Sequence, residues 1–134
     1  MVFNFLIGNM DAHSKNFSLL QHKPSQFRLA PFYDIVCTRV YPELVSKMAM
    51  KIGSKYHVDE VLPRHWEQLC QEIHYSFPAL KGLINQQGEI LLGSMDWSKQ
   101  FFNARTQGSP IINQIIEVAK RHINKTLERF EKFS

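Results

Sequence analysis

The chain has 134 residues, 44% hydrophobic and 21% charged, a balance that excludes a disordered or fibrous protein and fits one compact domain spanning residues 1–134. The formal charge of +4 and the isoelectric point near 9.2 favour anionic partners without selecting one. Two cysteines, Cys37 and Cys70, are too few for a disulfide scaffold or a zinc cluster and are read as reduced thiols.

In chain order, Met1 to Gly8 is apolar but lacks a basic leader and meets Asp11 at once. Neither a signal peptide nor a membrane span is expected there, and cytoplasmic residence is the expectation. Phe3, Phe5, Leu6 and Ile7 suit the last turns of a helix stopped by Gly8. Asp11 to Asn16 reads as a polar loop. Two short strands, Phe17 to Leu20 and Phe27 to Leu29, are expected around a turn at His22 to Gln26, with Pro31 ending the second.

A third short strand is expected at Met48 to Ile52, ended by Gly53 and Ser54. Beyond it helices dominate. Pro63 suits a first helical turn, followed by an apolar face of Trp66, Leu69, Cys70 and Ile73. Pro78 can start the next helix, with Leu80, Leu83, Ile84 and Leu91 as its buried stripe, Gly88 as a weak point and a break near Gly93. Ser109-Pro110 is a capping pair for a long last helix. Its face of Ile112, Ile115, Ile116, Ala119, Ile123, Leu127 and Phe130 runs for about five turns. The fold class expected is therefore mainly α with a small β-hairpin near the N-terminus. The basic residues near the C-terminus, from Lys120 to Lys132, alternate with Glu117, Glu128 and Glu131 and read as a solvated helix face; specific nucleic-acid binding is not expected from them.

The chemistry-bearing stretch is Asn9-Met10-Asp11-Ala12-His13-Ser14-Lys15-Asn16, with Asp34 beyond the hairpin. Phosphoryl transfer needs a carboxylate to orient the attacking hydroxyl and oxygen ligands for the magnesium ions that neutralise phosphate charge. Asp11-x-x-x-x-Asn16 has the spacing of the protein-kinase catalytic loop, and Asp34 stands where a second metal ligand follows a hairpin. Taken alone, an Asp and an Asn at that spacing also suit an ordinary turn. The remaining histidines, His22, His57, His65, His74 and His122, form no metal-ligand pattern.

The wider pattern narrows the choice. Phe5-Leu6-Ile7-Gly8, Asp11-x-His13-x-Lys15-Asn16-Phe17-Ser18 and Pro31-Phe32-Tyr33-Asp34-Ile35 resemble the HipA kinase family, and Lys47-Met48-Ala49-Met50 and Leu62-Pro63-Arg64-His65 resemble further family segments. The likeness is dense from Phe5 to Ile35, thins to about Trp66, and beyond that is mainly helical pattern. It implies the helical C-lobe of a HipA-like, protein-kinase-like fold, with Asp11 as catalytic aspartate and with Asn16 and Asp34 as magnesium ligands for ATP. His13 and Lys15 would support the loop or contact phosphate. Phe17, Phe32 and Tyr33 are expected to pack the hairpin rather than stack on adenine. Asp-x-His-x-x-Asn also resembles the phosphoinositide-kinase loop, although the flanking residues favour the HipA type.

The pattern is incomplete as well. Met10 stands where protein kinases carry Arg, so an activation-loop switch is not implied. The six glycines form no phosphate-cradling cluster, and the expectation is that the amino-terminal lobe is lost by truncation or supplied in trans. The resemblance thus implies the C-terminal half of a toxin-antitoxin serine/threonine kinase, incomplete alone. Its expected partners are an N-terminal kinase half, a HipB-like DNA-binding antitoxin and a protein substrate such as an aminoacyl-tRNA synthetase. The alternative reading is a non-catalytic, pseudokinase-like module that binds an antitoxin or another protein.

Overall fold

The computed structural model describes residues 1–44, 46–106 and 108–133. Helix α1 (Val2–Leu6) is short and survives because it is buried: Val2, Phe5 and Leu6 all face the core. Gly8 ends it in the left-handed region (φ +77°), as its lack of a Cβ allows. The site loop follows, and then β1 (Leu19–Lys23) pairs antiparallel with β2 (Gln26–Leu29). This is the expected hairpin, shifted: the first strand starts later and runs through His22, and the turn shrinks to Pro24 and Ser25, with Ser25 at φ +67°. Both strands are exposed on both faces.

Strand β3 (Lys47–Ile52) appears where a strand was expected and turns at Gly53-Ser54 into β4 (Lys55–His57), which was not expected. The Gly-Ser pair is a two-residue hairpin signal, but Lys-Tyr-His is too short to show a strand period. Gly53 is required there: its φ is +54°, and a Cβ would lie 2.5 Å from the His65 carbonyl oxygen, so the hairpin sits hard against α2.

Helix α2 (Pro63–Glu72) starts with Pro63 at its first position. Its N-cap, Leu62, has no side-chain acceptor, and the Leu62 N–H donates instead to Nδ1 of buried His65 at 3.0 Å. Helix α3 (Phe77–Thr106) is one unbroken helix, which corrects the expected break near Gly93. Gly88 is not a weak point but a contact point. A Cβ there would come within 2.9 Å of Leu127, so glycine lets α3 and α4 (Pro110–Glu131) approach closely. That packing offsets the roughly 1 kcal/mol propensity cost of a mid-helix glycine.

Helix α4 starts at Pro110 after Ser109, as expected, although the Ser109 side chain makes no capping bond. Its buried residues are Ile116, Ala119, His122, Ile123, Thr126 and Phe130. The core is centred on Trp66, Phe130, Leu6, Ile52, Ile84, Ile123 and Val58. Phe5 meets Trp66 edge-on at 5.2 Å and tilts against His122 at 4.8 Å, which ties α1 to α2 and α4 directly beneath the site loop. Lys120 pairs with Asp96 at 2.6 Å and Lys125 with Asp59 at 3.7 Å, while Arg129 donates to the Val61 and Asp59 carbonyls. These three cations are engaged within the chain. No helix among the described residues is long and apolar enough to cross a membrane.

Candidate active site

The site is built on the loop that leaves α1. Met10 is buried, and its backbone is bonded on both sides: its N–H donates to Thr38 Oγ1 at 2.9 Å, and its carbonyl accepts from Ala49 N–H of β3 at 2.8 Å. Thr38 Oγ1 donates in turn to the Gly8 carbonyl at 3.3 Å, and the Arg39 N–H reaches the same oxygen at 3.3 Å. The residue ahead of Asp11 is thus held by its own buried side chain, by the Thr38 hydroxyl and by the backbone of β3. Asp11 itself is exposed, with 62% of its side chain open to solvent. A carboxylate presented this way is available to a ligand and not committed to the fold.

His13 Nε2 lies 2.8 Å from Asp11 Oδ1, so one carboxylate oxygen is occupied and oriented while Oδ2 has no partner among the described residues. A one-turn 3-10 helix, Ser14–Asn16, then carries Asn16 back over the loop. Its Nδ2 donates to Asp34 Oδ2 at 3.2 Å and lies 3.4 Å from the Asp11 carbonyl oxygen. Asp34 adopts φ +57°, a left-handed conformation that Asp tolerates better than most residues. The structure therefore brings Asp11, His13, Asn16 and Asp34 into one cluster across the base of the hairpin. The exposed Lys15 contributes its carbonyl, which accepts from Tyr33 Oη at 2.8 Å; its ammonium makes no bond among the described residues.

Tyr33 Oη also shares a 2.8 Å bond with Ser18 Oγ, and Phe32 stacks on Phe3 at 6.5 Å and meets Phe17 edge-on at 6.3 Å. The aromatic residues thus hold the hairpin against α1 and fix where Asp34 emerges. A cleft of about 290 Å³ opens beside Asp11, lined by Met10, Asp11, Thr38, Leu44 and Lys47. A larger cavity of about 590 Å³, behind the Ile35–Leu44 segment and against α3 and α4, is predominantly apolar and offers little to a phosphate.

Magnesium takes hard oxygen ligands. Asn16 Oδ1 and Asp34 Oδ1 are both without hydrogen-bond partners among the described residues, and no Lys or Arg is paired with the Asp34 carboxylate there. The donor set is thus of the right chemistry for a divalent cation. Among the described residues, this site included, no group of three or more His, Cys, Asp or Glu is placed to hold a metal, so the donor set here is the Asp34 carboxylate with the Asn16 amide oxygen.

Two residues of the site were given no role from the sequence. Asn9, 4% exposed, contacts both Asp11 and Asp34. Its place directly after a helix-ending glycine was the available signal, since Asn side chains commonly bond to backbone nearby. Thr38 had no such signal: its contacts reach back to Gly8 and Met10 through tertiary folding alone.

A family model described as the HipA-like C-terminal domain matches residues 1–95. The protein Y4mE of Sinorhizobium fredii is 38% identical over 80 residues, 60% of this chain and 19% of that protein. The serine/threonine-protein kinase toxin HipA of Shewanella oneidensis is 35% identical over 60 residues, 45% of this chain and 14% of HipA. This chain thus spans about a fifth or less of these relatives. Among solved structures, a chain of the Shewanella oneidensis MR-1 complex of HipA, HipB and operator DNA matches with a TM-score of 0.71 at 21% identity. The match covers 98% of this chain and 29% of that one, and at this identity it speaks for the fold. On the family match and the shared fold together, this chain belongs to the HipA-like C-terminal domain family.

Proposed function

We propose that the chain is the catalytic-loop portion of a HipA-type serine/threonine protein kinase that uses ATP and magnesium. The observation that carries this reading is the Asn16 amide lying between the Asp34 carboxylate and the Asp11 backbone, in the chain order loop, hairpin, Asp. Asn16 Oδ1 and the Asp34 carboxylate would hold Mg²⁺, which when bound neutralises charge on the ATP phosphates. Asp11 Oδ2 accepts a hydrogen bond from the acceptor Ser or Thr hydroxyl, and that hydroxyl oxygen bonds to the γ-phosphorus as the bond to the bridging oxygen breaks. ADP leaves, and the hydroxyl proton passes to Asp11. His13 keeps the other Asp11 oxygen turned away from this exchange. The cleft beside Asp11 has room for the acceptor residue, with Lys47 at its wall.

The sequence contains no glycine-rich phosphate loop, so ATP has to be gripped by an amino-terminal kinase half, in the same polypeptide or in a second one. A HipB-like antitoxin is the proposed regulatory partner, in line with the HipA, HipB and operator DNA complex, part of one chain of which has the fold of this chain. The test is to incubate the chain, alone and mixed with an amino-terminal HipA-type half, with γ-labelled ATP and candidate protein substrates. Labelling of protein Ser or Thr by the mixture and not by the chain alone is expected. Robust turnover by the chain alone, or none by the mixture, would overturn the reading.

A further inference from the structure

We infer that Asn9 is a positioning residue that couples the Asp11 loop to Asp34 through a single buried amide. Its Oδ1 accepts the Asp11 N–H at 3.1 Å, and its Nδ2 donates both to the Asp34 carbonyl at 3.2 Å and to Asn4 Oδ1 at 3.2 Å. The orientation of this amide is forced by its partners. The Asp11 backbone can only donate and the Asp34 carbonyl can only accept, so a flipped amide would lose both bonds. All three polar functions of the side chain are used, and the residue is 4% exposed. The backbone N–H of Asn9 is anchored as well, on the Asn4 carbonyl at 2.9 Å, so the amide is referred to α1.

Asp34 needs such an anchor. It sits at φ +57°, follows a hairpin exposed on both faces, and its own side chain is exposed. A left-handed residue persists where its surroundings over-determine it, and the bond from Asn9 to its carbonyl holds the peptide on the side that points the carboxylate at Asn16. One amide therefore sets the separation of the Asp11 and Asp34 backbones before any ligand arrives. Outer groups that orient a ligand commonly account for about 10- to 100-fold in metal affinity.

The inference rests on the reading of Asp34 as a metal ligand, and its test separates the two. In isotope-labelled chain, Asn9→Ala is expected to speed hydrogen exchange at the Asp11 N–H at least tenfold without metal. Asn9→Asp, which keeps an acceptor for that N–H but lacks the donor to Asp34, is expected to leave Asp11 protected while the Asp34 amide and Asn16 side-chain signals move. Titration with Mg²⁺ should show affinity weakened about tenfold in the folded Ala variant. Should the Ala variant fail to fold, the Asp variant carries the same reading. Equal Mg²⁺ affinity in folded variant and parent would overturn the inference. If the parent binds no Mg²⁺, the metal reading fails and the tether is judged on exchange alone: faster Asp11 exchange in Asn9→Ala sustains it, and unchanged exchange refutes it.

Discussion

Asp11→Asn is expected to lower protein phosphorylation by the chain combined with an amino-terminal kinase half by about 10²- to 10⁴-fold. The substitution keeps the size and shape of the side chain and removes its capacity to take the hydroxyl proton. Its effect should fall on the chemical step, because the Asp11 side chain is 62% exposed and contributes no packing. The expected signature is a fall in kcat with KM for ATP nearly unchanged, since Asn16 and Asp34, the proposed metal ligands, remain in place. Thermal unfolding of parent and variant should agree closely, because exposed substitutions away from caps and buried networks usually change stability little. A non-catalytic interaction module predicts the opposite pattern, with phosphorylation by variant and parent indistinguishable.

Acidification is expected to destabilise the fold through His122. This histidine on α4 is 6% exposed, its Nδ1 lies 3.3 Å from the Arg39 guanidinium, and its ring packs on Phe5. Burial, reinforced by the adjacent Arg39 charge, pushes its pKa down to about 4 from an ordinary value of 6.5, against the smaller upward pull of the Phe5 backbone and Asp59. Its Nδ1 accepts from Arg39, so Nε2 carries the proton of the neutral ring, and Nε2 makes no full hydrogen bond among the described residues, the Phe5 backbone acting on it only weakly. The unfolded chain takes up a proton near pH 6.5 and the folded chain only near 4, so the unfolded state binds more protons between those values. The contribution is fully present above about pH 6.5, declines as the pH falls and is lost below about 4, a change on the order of 3 kcal/mol. Urea unfolding at pH 7.5 and 4 should show His122→Asn losing about that much less than the parent, whatever its stability at neutral pH. Equal losses would mean that His122 is not buried neutral.

The reach of the sequence can be judged from particular residues. Helix α4 was readable because its apolar face repeats with the helical period from Ile112 to Phe130, and Ser109-Pro110 marks its start. The order of Asp11, Asn16 and Asp34 was readable because loop, strand, turn and strand each have local signals. What the sequence withheld depends on distant partners. Gly88 looked like a weakness in α3 because Leu127, which closes on it, lies on another helix. The short β4 strand exists through its pairing with β3 and has no period of its own. Asn9 and Thr38 became part of the site only when Asp34 and Met10 were brought to them. His122 was assigned no chemistry; its burial among Arg39, Asp59 and Phe5 makes it a titrating core group, a role that spacing cannot reveal.

The proposed sharing of one divalent cation by Asn16 and Asp34 beside Asp11 is tested most directly by paramagnetic broadening with Mn²⁺. Substoichiometric Mn²⁺ should broaden the NMR signals of Asn16, Asp34 and Asp11 ahead of all others, excess Mg²⁺ should restore them, and Asp34→Ala should abolish the effect. Broadening scattered over other surface carboxylates, or unchanged by Asp34→Ala, would contradict it.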